Sequence, residues 1–235
     1  MTDVTIRRLT KRFGAVLAVD DLDFEVSGGR VTAFLGPNGA GKTTTLRMLL
    51  GLARPTGGEA LVGGVPYARL PRPRRTVGAV LEDVAAHPGR RGRDHLRVLA
   101  GLAGVAESRV DEVLDDVGLT QDAGRRVGGY SLGMRQRLGI AGALLGDPEV
   151  LVLDEPSNGL DPGGMAWLRG LLRDQATRGR TVIISSHVLS EVAQTADDVV
   201  VVHRGVLRYS GPLHELAAEQ SLEAAFLRLT DAVPA

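Results

Sequence analysis

The eight residues Gly36-Pro-Asn-Gly-Ala-Gly-Lys-Thr43 constrain this chain more than any other stretch, because they complete the pattern G-x-x-x-x-G-K-[ST] in the right surroundings. Val31-Thr-Ala-Phe-Leu35 before them predicts a short buried strand, and Thr43-Thr-Thr-Leu-Arg-Met-Leu-Leu50 after them predicts a helix. A strand feeding a helix through a glycine-rich loop starts an α/β fold and makes an anion cradle. Glycines at 36, 39 and 41 let backbone N–H groups converge on phosphate oxygens, and the helix N-terminus adds partial positive charge. Pro37, Asn38, Ala40 and Thr44 complete the loop. Lys42 is expected on the β- and γ-phosphates, with the Thr43 hydroxyl on a Mg²⁺ that bridges them.

Lysine is otherwise almost absent. Of 28 basic residues only Lys11 and Lys42 are lysines. A lysine retained at position 42 fits a place that needs a compact ammonium rather than the planar fork of arginine.

Composition narrows the class. With 235 residues, 43% of them hydrophobic, the chain can bury one good core with a smaller lobe attached. The formal net charge of zero offers no electrostatic reason for a nucleic-acid partner, and the arginine-rich stretches at 69–75 and 90–93 read as solvated loop faces. There is no cysteine, so no disulfide framework, which is compatible with a reducing cytosol. No apolar run approaches the ~18 residues of a membrane-spanning helix, and Met1-Thr-Asp-Val-Thr5 reads as the start of a strand rather than a signal peptide. Any membrane link is therefore expected to run through a partner.

Further strands are expected at 4–9 and 17–26, joined by a turn at Lys11-Arg-Phe-Gly14, and at 59–62, 77–81, 150–153 and 181–184. Helices are expected from an Asp94 cap to about Leu102, from Ser108 to Val117, and from Ser131 to Leu145. Asp161-Pro162 supplies an N-cap and a first-turn proline for a crossover helix between two parallel strands. The expected architecture is α/β: a phosphate-loop NTPase core with a mixed sheet, formed by 1–82 and 148–235, and an inserted all-helical lobe at 83–147.

Val150-Leu-Val-Leu-Asp-Glu155 is an apolar strand ending in two acids, and buried strands do not end in paired carboxylates without a cation or a task nearby. Asp154 is expected on the Mg²⁺ side. Glu155 is expected to polarise the attacking water as general base. His187 follows Ile183-Ile-Ser-Ser186 at the C-terminal end of another core strand, the edge where α/β sheets bind ligands.

The phosphate loop, Asp154-Glu155, Ser157-Asn-Gly-Leu-Asp161, His187 and Tyr130-Ser-Leu-Gly-Met-Arg-Gln136 together resemble, in order and spacing, the nucleotide-binding subunit of ATP-binding cassette (ABC) transporters over nearly the whole chain. The resemblance implies ATP and Mg²⁺ as cofactors and hydrolysis to ADP and phosphate. It implies a head-to-tail dimer, expected to be of like chains, in which Ser131 and Gly133 bind the γ-phosphate held by the other protomer. It implies a separate membrane permease, a location at the cytoplasmic face of the membrane, and communication between the two sites through 157–161. Phe13 would stack on adenine, or else it packs within the first hairpin. The chain departs from the common pattern in two features: in the signature Leu132 and Met134 replace Gly and Gln, and Glu82 stands where Gln is usual, as a candidate Mg²⁺ ligand. Both departures, with Ser221-Leu-Glu-Ala-Ala-Phe226, look similar to the subfamily that exports drugs, antibiotics or lantibiotics. The other class left open is a non-transport ABC ATPase acting on ribosomes or DNA, or a regulatory nucleotide-binding module.

Overall fold

The computed structural model describes residues 1–81, 86–218 and 221–231. Strands β1 (Val4–Phe13), β2 (Val16–Val26) and β3 (Val31–Leu35) lead into helix α1 (Lys42–Leu49). β4 (Gly57–Val62), a short α2 (Pro73–Thr76) and β5 (Val77–Val80) follow. Next come helices α3 (Gly92–Ala103), α4 (Ser108–Asp116) and α5 (Leu132–Leu144), with no strand among the described residues between β5 and β6 (Val150–Leu153). The chain then forms α6 (Pro162–Thr177), β7 (Thr181–Ser186), α7 (Leu189–Thr195), β8 (Asp198–His203), β9 (Val206–Pro212), α8 (Leu213–Leu216) and α9 (Leu222–Asp231).

The strands form two sheets. A three-stranded antiparallel sheet has the order β2-β1-β4, and a six-stranded sheet runs β5-β6-β7-β3-β8-β9. In the larger sheet only β9 is antiparallel. Its central strands β3, β6 and β7 are buried along their whole length and mostly apolar because both faces are covered. Val31, Ala33 and Leu35 point into one core with Leu151, Leu153, Val182 and Ile184, and with the helical residues Leu138, Leu144 and Leu168. Phe34, Val150, Val152 and Ile183 point the other way, into a second core shared with Val4, Ile6 and Leu22 of the small sheet and Leu46 of α1. The phosphate-loop helix is thus clamped between two sheets.

Three expectations are corrected. β1 runs on through Lys11 to Phe13, so the hairpin turn lies at Gly14-Ala15. Register shifts along the β1–β2 pair, with Arg8 and Asp21 at positive φ, break the simple alternation that made the strand look shorter. α3 starts three residues earlier than expected: Arg91 is its N-cap, and Asp94 lies in the first turn, where its charge favours the helix dipole without capping. Arg93 pairs with Asp111 of α4 rather than lying on a solvated loop. The caps of the other two site helices are as expected. Ser131 Oγ accepts the Met134 N–H at 3.1 Å, and Asp161 Oδ1 accepts the Gly164 N–H at 2.7 Å, each worth about 1 kcal/mol.

His95 on α3 is 7% exposed, and its Nδ1 has no hydrogen-bond partner. Burial pushes its pKa below the ordinary 6.5, and the positive charge of Arg90 adds to the effect. The unfolded chain therefore takes up this proton first as pH falls through 6.5, and the stability His95 allows at neutral pH is lost on the acid side. His95→Leu should flatten that limb. Urea midpoints at about pH 7.5 and about pH 5 check it; an equal acid loss in wild type and variant would clear His95 of the effect.

Candidate active site

β6, β7 and β3 are neighbours in the sheet, so their C-terminal ends bring Asp154, His187 and Gly36 to one edge. The loop at that edge is built for close approach. Gly41 has φ 103°, and a Cβ there would stand 2.6 Å from the Ala18 carbonyl oxygen; a Cβ on Gly36 would stand 2.4 Å from that of Val202. The Ala40 N–H donates to Pro37 O at 3.1 Å, and the Gly205 N–H donates to Ala40 O at 3.0 Å, which ties the loop to the turn after β8. Asn38, Gly39 and Thr44 complete the turn and the first turn of α1.

Lys42 is 7% exposed. Its ammonium donates to Gly36 O at 2.6 Å and Pro37 O at 3.3 Å, folded back onto the loop. Burial pushes its pKa below the usual lysine value, and the attraction of Glu155 and Asp154 offsets this only in part. A buried cation whose partners do not fully compensate it is poised for an anion. A triphosphate fits that requirement.

Asp154 is 4% exposed, and its carboxylate ties two hydroxyls together. Its Oδ2 accepts the Thr43 hydroxyl at 2.8 Å, and its Oδ1 accepts the Ser185 hydroxyl. Ser185 Oγ in turn accepts the Glu155 N–H at 2.8 Å. Glu155 sits at φ 49°, a left-handed conformation that costs a non-glycine residue about 1–3 kcal/mol and marks a position held by its surroundings. The Glu155 carboxylate meets His187 Nδ1 at 2.8 Å. With Glu155 ionised, Nδ1 must carry the proton, because a carboxylate can only accept. His187 thereby orients the carboxylate beside Lys42.

The Thr43 hydroxyl and the Asp154 carboxylate are hard oxygen donors side by side. They would suit a Mg²⁺ bound together with a nucleotide, and no group of three or more acidic, His or Cys ligands occurs among the described residues. Glu82 lies outside the described residues. Ser185 was not anticipated; its signal was a pair of serines closing an apolar strand, which alone does not distinguish a bridge from a strand end.

The structure does not gather every expected residue at this edge. Phe13 is 52% exposed at the end of β1, with the Lys11 ammonium 4.7 Å from its ring centroid. Ser131 is exposed at the start of α5, its hydroxyl committed to the helix cap rather than to the phosphate loop, with Gly133 in the first turn beside it.

Residues 19–158, more than half of the chain, match the ABC transporter family. The chain belongs to that family. It is 44% identical to the bacitracin transport ATP-binding protein BcrA of Bacillus licheniformis, over 88% of this chain and 69% of that relative. It is 38% identical to the lantibiotic transport ATP-binding protein SrtF of Streptococcus pyogenes, over 85% of this chain and 86% of the relative. A solved ATP-binding subunit of an ABC transporter superposes with a TM-score of 0.88 at 27% identity, covering 96% of this chain and 98% of that one. This ABC protein is accordingly an ATP-binding subunit and an ATPase. The site at the end of β3, β6 and β7 is its candidate nucleotide site.

Proposed function

We propose that this ABC ATPase works as a dimer of like chains around two Mg·ATP, located at the cytoplasmic face of a membrane through a separate permease whose export it drives. Residues 1–82 and 148–235 form its nucleotide-binding core, and 83–147 the lobe that reaches the partner. One observation supports the reading: the expected phosphate-site residues lie in two separate places on one protomer. Lys42, Thr43, Asp154, Glu155 and His187 lie together at the sheet edge, to bind the phosphates and direct the attacking water, while Ser131 is exposed at the N-terminus of another helix with Gly133 in its first turn. A helix N-terminus with an exposed hydroxyl and a glycine N–H suits the γ-phosphate of a second molecule. Among the described residues no helix is long and apolar enough to cross a membrane, which supports a separate permease. The bacitracin and lantibiotic transport names of the relatives favour an exporter over the non-transport class.

Specific ATPase activity should rise with protein concentration before levelling off, because a lone protomer has no complete site. Phosphate release over about two decades of concentration tests this. Activity per molecule that stays constant throughout would make the enzyme monomeric.

A further inference from the structure

Leu132 replaces the glycine usual at its position, and its side chain has somewhere to go. Gly159 lies in the turn between β6 and α6 at φ 78°, and a Cβ there would stand 2.3 Å from both Cγ and Cδ2 of Leu132. The leucine therefore lies across the bare face of Gly159, which only glycine can present. The contact continues one residue on: a Cβ on Gly133 would meet Gly159 O at 3.1 Å and Leu160 Cδ2 at 3.5 Å. Leu132 is nevertheless 51% exposed, so burial of its own surface does not account for it.

The same two helices are joined again further along. The Arg137 guanidinium of α5 stacks over the Trp167 ring of α6 at 4.2 Å and donates to Val117 O at 2.9 Å, while the Trp167 indole N–H donates to Asp116 O at 3.1 Å. α5 begins at the Ser131 cap and α6 at the Asp161 cap, so both attachments fix one relation: that between the start of α5 and residues 157–161.

We infer that Leu132 is a positioning residue: packed on Gly159 of its own chain, it makes residues 157–161 and the Ser131–Gly133 helix start one rigid surface presented to the partner's nucleotide. This rests on the two-protomer reading above. Without the leucine the turn and the helix start would be held mainly by the more distant Arg137–Trp167 attachment and could shift slightly against each other, and a shift of about 1 Å at a reacting phosphate can cost up to about a hundredfold in rate.

The test is a size exchange in the full chain. Gly159→Ala should lower kcat about tenfold or more while nucleotide affinity of the protomer, read with a fluorescent ATP analogue, stays within about twofold. Leu132→Ala should lower kcat about threefold, again with affinity kept. The double variant should turn over faster than Gly159→Ala, because the added methyl finds the space the leucine left; recovery stays partial since alanine is strained at φ 78°. Emission of Trp167, the only tryptophan, reports whether the α5–α6 packing survives in each variant. Wild-type kcat in Gly159→Ala, or a double variant no faster than Gly159→Ala, overturns the inference. If Gly159→Ala does not fold, Leu132→Ala decides it alone, and an unchanged kcat there overturns it. Failure of the two-protomer reading shows separately, as wild-type activity independent of concentration.

Discussion

Glu155→Gln should bind ATP as the wild type does and lose about 10²–10⁴-fold of its turnover. The amide keeps the shape of the side chain, its carbonyl oxygen can still accept the His187 Nδ1–H, and the backbone N–H that donates to Ser185 is untouched. What is lost is the acceptor for the proton of the attacking water. Because the nucleotide then persists, dimers bridged by ATP should accumulate. Steady-state phosphate release and gel filtration with and without ATP measure the two halves of this expectation. Near-normal turnover in the variant would remove Glu155 from the role of general base and shift attention to His187, which contacts its carboxylate.

Lys42→Ala and Ser131→Arg should each abolish activity alone and restore it when mixed. On the two-protomer reading proposed above, Lys42 is the buried ammonium of one half-site and the exposed Ser131 supplies the hydroxyl of the other. In a mixed dimer one composite site loses both groups and the other keeps both. With random pairing and independent sites, up to about a quarter of wild-type activity should return. Pre-mixing the purified proteins with ATP and measuring phosphate release checks this. Absence of any recovery, with both variants folded, would mean that the groups act within one chain.

Much of this site is legible in the sequence alone. The phosphate loop could be located because its glycines, Lys42 and Thr43 lie in one unbroken run whose chemistry is local. Asp154, Glu155 and His187 were legible for a related reason: each is a polar residue where an apolar strand ends, and the ends of parallel strands share one sheet edge. The helix caps Ser131 and Asp161 were also local signals, and both side chains accept the predicted kind of bond.

Strand pairing was not local. That β1, β2 and β4 form a sheet of their own, and that β3 lies between β7 and β8, depends on which edges bury the most apolar surface together, a property of the whole chain. The same holds for single groups. Ser185 became the bridge between Asp154 and Glu155 only because β6 and β7 pair in one register, Leu153 with Ile184. His95 became a depressed base through the helices that enclose it, and Leu132 acquired a partner when the turn at Gly159 came beneath it. The sequence by itself determined the chemistry this protein can perform, since that resides in residue types at fixed short spacing. Only the tertiary structure decided how those residues are held and shielded, because burial, φ at a turn and contact between distant side chains exist only once the sheet and its helices have packed.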